Sequence, residues 1–308
     1  MKITIIGPGA IGCLYYGLLS KKAASLYLLD KDLKRVEYLQ ANGIKIEGLT
    51  KLQVIPKITT SIKETANSDL VIIAVKAYDT SSAAKLAKEI CSDNGFVLSV
   101  QNGLGNLDVL SEVVGYEKVL GGVTEQSAIL SDKGKLIHTG DGYTLIGKQG
   151  KKLPAGLRQI RELFNSCGVK TKISKDINSA IWSKLIVNVG INALTALVRI
   201  QNADILDYDS CRSLMRMAVS EAERVAKRKK VKFPFDSAID KVEAVCRATG
   251  DNISSMLQDI INKKRTEIEY INGAVFKLGQ NLNIPTPVNF MLFELIKTIE
   301  NSFQRQVL

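Results

Sequence analysis

The sequence predicts a two-part α/β protein, an N-terminal Rossmann-type doubly wound sheet followed by an all-α C-terminal domain. Strand and helix patterns alternate over about the first 150 residues. Strand signals nearly vanish after about residue 176. A glycine fingerprint, Gly7-Pro8-Gly9-Ala10-Ile11-Gly12, joins the first strand directly to the first helix. A chain of 308 residues also suits two domains better than one core.

Ile3–Ile6 is a short β-rich run and Ile11–Ser20 continues as a helix. Leu26–Leu29 is the second strand, with a helix around Lys34–Ala41. Leu70–Val75 is an unbroken apolar run, as a strand covered on both faces requires. A helix over Ser82–Ile90 and strands at Phe96–Val100 and Val119–Thr124 continue the pattern. Gly134–Gly147 is expected to form a hairpin turning at Asp141-Gly142, and Leu153–Cys167 a closing helix. Long helices are then expected over 178–198, 209–230, 236–248, 255–279 and 288–303, with breakers at Pro234, Gly250-Asp251-Asn252 and Pro285-Thr286-Pro287. The change of pattern near 168–178 gives residues 1–172 as a dinucleotide-binding domain and 173–308 as a helical substrate and catalytic domain.

Composition removes several function classes. With 45% hydrophobic and 24% charged residues the chain is globular in composition. The formal charge of +11 peaks in Arg224–Lys232, near a helix C-terminus, where cations complement the dipole. The run has no interleaved aromatics for base stacking, so it reads as a solvated helix end and no nucleic-acid partner is expected. No stretch reaches the roughly 18 uninterrupted apolar residues of a membrane span, and the N-terminus lacks the long apolar region of a signal peptide. The expected location is cytoplasmic, with no membrane partner. Five scattered cysteines without a CxxC pair indicate reduced thiols. A single histidine, His138, argues against histidine-rich metal sites and Ser-His-Asp triads. No metal is expected, and an enzyme built this way would draw its proton donor from Lys, Tyr or a carboxylic acid.

The glycine fingerprint has a specific physical reading. Gly7 allows a tight turn, Gly9 lets the backbone approach a pyrophosphate, and Gly12 lets helix and strand pack closely, while Pro8, Ala10 and Ile11 complete the loop. Asp30, 18 residues after Gly12, stands where an acid accepts the ribose hydroxyls of NAD. Lys31, Lys34 and Arg35 beside it suit the 2′-phosphate of NADP instead, so the residues leave both cofactors open. Two further loops leave strand C-termini on the same edge, Val75-Lys76-Ala77-Tyr78 and Gln101-Asn102-Gly103-Leu104-Gly105-Asn106. Lys76 and Asn102 there suit a carboxylate and a nicotinamide ribose, against a plain surface lysine and a turn-forming Asn-Gly.

Lys184, Asn188 and Asn192 lie four residues apart on a helix that is otherwise Leu, Ile, Val and Ala. That spacing puts them on one narrow face. Each would cost several kcal/mol if buried without a partner, so they face a polar cavity or a partner. Burial also lowers a lysine pKa toward neutrality, as a general acid requires. Asn252-Ile253-Ser254-Ser255 precedes another helix, where Ser255 and Gln258 have capping-box spacing. Such a terminus can also attract a carboxylate.

These segments together resemble the ketopantoate reductase (2-dehydropantoate 2-reductase) family. The resemblance rests on GPGAIG, AVKAYDT, QNGLGN, WSKLIVNVGINALTAL, DNISSMLQDI and RTEIEYING, which span residue 1 to about 275. It implies NADPH-dependent reduction of a 2-keto acid, ketopantoate, to pantoate, a step toward pantothenate and coenzyme A. It implies Lys184 as the general acid and Glu267 as its orienting partner or a substrate ligand. Asn188, Asn192, Asn252 and Ser255 would hold the substrate, Asn102 would contact both cofactor and substrate, and Lys76 would contact the cofactor. The family generally carries an arginine for the 2′-phosphate after the second strand. Here Asp30-Lys31 stands there, so Lys31 takes that role and NAD is not excluded. Two alternatives remain: a related dehydrogenase for another 2-keto or hydroxy acid, and a non-catalytic dinucleotide-binding protein. The residues leave the oligomeric state, a homodimer included, open.

Overall fold

The computed structural model describes residues 1–130, 135–150 and 153–305. The chain forms two compact units, Met1–Gln101 with Asn106–Ile177, and Asn102–Gly105 with Asn178–Leu308.

The first unit is built on a sheet of β1 (Lys2–Ile6), β2 (Ser25–Leu29), β3 (Ile44–Gly48), β4 (Leu52–Val54), β5 (Ile58–Thr59), β6 (Ser68–Ile73), β7 (Cys91–Ser99), β8 (Val119–Leu130), β9 (Lys135–Gly147) and β10 (Thr171–Ile173). The spatial order is β5-β2-β1-β6-β7-β8-β9-β3-β4, with β10 paired to β9. From β5 to β8 every neighbouring pair is parallel. This is the 3-2-1-4-5-6 order of a doubly wound sheet, and its switch point, where such sheets bind ligands, lies between β1 and β6. Ile3, Ile5, Leu70, Ile72 and Leu98 are fully buried, which is why these strands read as apolar runs rather than alternations. The unit's helices are α1 (Ala10–Leu19), α2 (Leu33–Asn42), α3 (Ile62–Thr65), α4 (Thr80–Ile90), α5 (Asn106–Val114) and α6 (Gly156–Ser166).

The sheet departs from the expected pattern at one side. β9 runs antiparallel to β8, and β3 and β10 align with β9. Asp141 and Gly142, expected at a hairpin turn, lie inside β9, where the register against β8 shifts. Gln126 Nε2 donates there to Asp141 Oδ1 at 3.0 Å and to the Gly142 carbonyl at 2.8 Å. An Asp-Gly pair suits an irregular ladder as well as a turn, which is how the misreading arises. Gly134, the expected start of the hairpin, is outside the described residues. The strands β3, β4, β5 and β10 are also absent from the sequence expectations, and β4, β5 and β10 are only two or three residues long, too short for a period to register.

The described residues of the second unit form helices and connecting segments, with no strand among them. It contains α7 (Ile177–Val198, whose first residue belongs to the first unit), α8 (Asp204–Asp207), α9 (Asp209–Arg228), α10 (Ala238–Ala248), α11 (Ser255–Ile261), α12 (Asn272–Asn281) and α13 (Pro287–Ser302). Leu185, Ile186 and Val189 of α7 join Met215 and Val219 of α9, Val242 of α10 and Leu292 of α13 in one core. By length and composition α7 could cross a membrane, and 61% of its apolar stretch is buried.

The helix expected over 255–279 is broken. α11 stops at Ile261, Lys263 takes φ +50°, and a single 3₁₀ turn, Ile268–Tyr270, precedes α12. The cause is tertiary: Glu300 on α13 accepts both the amide and the hydroxyl of Thr266, at 2.7 Å each. A buried carboxylate competing for those groups is invisible to periodicity.

Candidate functional site

The glycine loop follows β1 at the switch point, and its three glycines meet three different constraints. Gly7 has φ +97°, and a Cβ on it would lie 2.5 Å from the Val75 side chain. A Cβ on Gly12 would collide with the Gly7 carbonyl oxygen, so only glycine lets α1 start this close to β1. Gly9 has nothing within 4 Å on its open side. It also precedes an α1 N-terminus that has no side-chain cap. Unclaimed first-turn amides facing open space are a cradle for an anionic diphosphate, so the residues fit a dinucleotide. Behind the loop the Cys13 thiol donates to the Pro8 carbonyl at 3.3 Å. Burial pushes that thiol up to about 12, leaving it a structural donor rather than a nucleophile.

The end of β2 carries both signs of charge. Asp30 is held 3.4 Å from the Arg35 guanidinium, yet its Oδ2 is buried and accepts no hydrogen bond. Lys31 pairs with Asp79 at 3.1 Å on the surface. The structure thus couples Arg35, rather than Lys31, to the acidic residue of this site.

The two loops after β6 and β7 are tied together by a network that the sequence reading did not identify. Gln101 Nε2 donates to the Val75 carbonyl at 3.0 Å and to Thr80 Oγ1 at 2.8 Å. Thr80 Oγ1 in turn lies 2.8 Å from Asn106 Oδ1. This holds half-buried Lys76, which starts the 3₁₀ turn Ala77–Asp79, at the strand edge beside the glycine loop. The pairing of Thr80 with an amide in another loop leaves no mark in local sequence.

In the second unit, Lys184 and Asn188 are half-buried and Asn192 is buried along one face of α7. At the end of that line Thr195 donates to Ser254 Oγ at 2.8 Å. The same Ser254 oxygen accepts the Leu257 amide, making Ser254 the N-cap of α11. This corrects the expectation that Ser255 caps the helix. Ser255 is its exposed first residue, and Asn252 is exposed just before it. Gln258 reaches back to the Ile253 carbonyl at 3.1 Å. The Thr195–Ser254 bond therefore sets the start of α11 at the Asn192 end of the polar face.

Glu267, 5% exposed, lies on the non-helical connector rather than on a helix. Its Oε2 accepts Asn102 Nδ2 at 3.2 Å, joining two expected site residues 165 positions apart. The Leu104 amide donates to the Tyr270 carbonyl at 3.0 Å beside it. Asn272 Nδ2 lies 3.4 Å from the Val189 carbonyl, so the connector's far end returns to α7 next to Asn188. His138 serves structure: it is buried in β9 against Thr50, Gln126 and the Gly140 carbonyl. Among the described residues no cluster of His, Cys, Asp and Glu could hold a metal ion.

Chemically, the first unit offers an anion cradle at a switch point. The second offers a lysine, three amides and a carboxylate, a set able to bind a polar acid and move one proton.

Two family profiles match the chain: ketopantoate reductase PanE/ApbA over residues 3–151, and ketopantoate reductase PanE/ApbA C terminal over residues 176–300. A curated relative, 2-dehydropantoate 2-reductase of Pyrococcus horikoshii, is 37% identical over 98% of each chain. The crystal structure of a PanE/ApbA family ketopantoate reductase from Ralstonia eutropha JMP134 aligns with a TM-score of 0.90 at 29% identity, over 99% of this chain and 100% of that one. The ternary structure of D-mandelate dehydrogenase with NADH and anilino(oxo)acetate aligns with a TM-score of 0.89 at 25% identity, over 99% and 100%.

Proposed function

Because the chain belongs to the ketopantoate reductase family, we propose that it reduces 2-dehydropantoate to pantoate with NADPH. The observation that carries this reading is the line of Lys184, Asn188 and Asn192 on an otherwise apolar helix, together with the Asn102–Glu267 hydrogen bond. The Gly7–Gly12 cradle would hold the dinucleotide, which would supply the hydride for the keto carbon. Lys184 gives a proton to the ketone oxygen as that carbon is reduced, so the ketone becomes a hydroxyl and the lysine is left neutral. Solvent then restores its proton. Asn188, Asn192 and Ser255, with Asn252, hold the carboxylate and hydroxyl groups, and Glu267 orients Lys184 or accepts the substrate hydroxyl. Asn102 serves both ligands, and Lys76 contacts the dinucleotide.

NADPH is the proposed donor because Arg35 neutralises Asp30 and presents a half-exposed guanidinium, with Lys31 and Lys34 adjoining. Arginine grips phosphate through two parallel bonds. Residues 1–172 serve the dinucleotide and 173–308 the keto acid in this reading. The enzyme works in the cytoplasm on a small molecule, with no nucleic-acid or membrane partner.

A second reading, a dehydrogenase for another 2-hydroxy or 2-keto acid, is favoured by the likeness to D-mandelate dehydrogenase. Steady-state rates with ketopantoate and with an aryl keto acid such as benzoylformate separate the two. A higher kcat/KM on benzoylformate would replace the first reading with the second.

A further inference from the structure

Glu267 can serve the reaction only if its carboxylate stays where Asn102 meets it, yet it sits on a connector with one 3₁₀ turn and no regular helix. What fixes the connector comes from α13. Glu300 Oε1 accepts the Thr266 amide and hydroxyl at 2.7 Å each. Thr266 Oγ1 also accepts the Ile268 amide at 3.1 Å, so the threonine held by Glu300 bridges the backbone across Glu267. The second carboxylate oxygen of Glu300 pairs with Lys297 at 3.1 Å. The Glu300 side chain is only 6% exposed and Thr266 2% exposed. A carboxylate is buried at a cost unless it is paired and hydrogen-bonded; here Lys297 supplies the pairing, and both hydrogen bonds to Glu300 Oε1 are made by the residue next to Glu267. Closing an ordinary loop needs no such arrangement. On the other side, Leu104 and Tyr270 pin the same connector.

We propose that Glu300 is a positioning residue for the reduction, acting through Thr266 to hold Glu267 against Asn102. Glu300 touches neither substrate nor cofactor in this scheme. The inference rests on the reductase reading above, which supplies the reaction that Glu267 serves.

The test compares Glu300→Ala and Glu300→Gln with the wild type in kcat, KM for the keto acid, dinucleotide dissociation constant and thermal midpoint. Misplacing a catalytic constellation by about 1 Å costs up to roughly 10²-fold, so Glu300→Ala should lower kcat by about 10–100-fold with dinucleotide affinity unchanged. Glu300→Gln keeps an oxygen acceptor for Thr266 and should recover most of that loss despite losing the Lys297 pair. If Glu300→Ala does not fold, the Thr266→Ser and Thr266→Val pair decides: serine should keep turnover and valine should lose it. An active wild type whose Glu300→Ala or Thr266→Val variant turns over normally overturns the proposal alone. Equal loss in Glu300→Ala and Glu300→Gln overturns it too, since charge rather than the acceptor would then be responsible. A wild type that reduces no 2-keto acid overturns the reductase reading, and this proposal with it.

Discussion

Gly103 meets Tyr270 with no room for a side chain: a methyl group on its Cα would stand 2.5 Å from the Tyr270 carbonyl oxygen and 2.7 Å from its Cβ. Gly103 also takes φ +84°, which a residue with a Cβ adopts only under strain. The close approach lets Leu104 donate to the same carbonyl and keeps Asn102 within reach of Glu267. Gly103→Ala is therefore expected to cost about 1–3 kcal/mol of stability and to lower kcat more than it changes dinucleotide affinity. Thermal unfolding with parallel steady-state kinetics checks this. A variant matching the wild type in both would show that the Asn102–Gly105 segment has slack.

Lys184→Ala should lower turnover by roughly 10²–10⁴, the usual worth of a general acid, with dinucleotide affinity nearly unchanged. A proton donor acts in the transition state and does not carry dinucleotide binding. Fluorescence titration with the dinucleotide and single-turnover rates separate the two effects. Near-normal turnover would move the acid role to another residue.

Cofactor choice turns on the charges after β2. Lys31→Ala should raise KM for NADPH and leave that for NADH nearly unchanged. Its bond to Asp79 is exposed and worth little, so Lys31 is free to turn toward a phosphate. Arg35→Ala should act in the same direction and more strongly, because it also removes the cation that neutralises Asp30. A wild type with higher kcat/KM on NADH would make the unbonded Asp30 Oδ2 the ribose acceptor, and Asp30→Asn would then impair NADH use.

The second unit should lose stability in acid through Glu243. Hydrogen bonds from the Arg212 guanidinium, joined by Arg216, hold this carboxyl at about 2, below its ordinary 4.5. The folded state therefore keeps the carboxylate ionised where the unfolded chain takes up a proton. Its contribution is complete above about pH 4.5 and drains away as pH falls toward about 2. Glu243→Gln should cost about 1–3 kcal/mol near neutrality and flatten the acid limb of the stability curve. Denaturant titrations of both proteins between pH 3 and pH 7 measure this, and parallel curves would exclude the role.

Much of this molecule is legible in its sequence because the signals are local. Gly7, Gly9 and Gly12 sit in one short run between a strand and a helix, and the Lys184–Asn188–Asn192 spacing survives as one face of α7. What escapes is decided across the chain. Glu267 is reached only through the family resemblance, because nothing in its own segment marks it, and the break that Glu300 imposes on the helix expected there is not visible in the sequence. Ser254 becomes the cap instead of Ser255 because Thr195, 59 positions away, supplies its partner. The Thr80–Gln101–Asn106 network joins residues up to 26 apart and has no periodic trace.

α7 has a cost during synthesis as well as a use in the folded protein. By length and composition alone its 22 residues match a membrane span, and the helices that cover them, α9 to α13, all come later in the chain. At ribosomal speeds of roughly 5–20 residues per second, the interval from Val198 to the end of α13 lasts about 5–20 s. Throughout it the nascent segment is open to capture by membranes, chaperones or other nascent chains. Yield in a heterologous host should therefore respond to translation rate and chaperone supply.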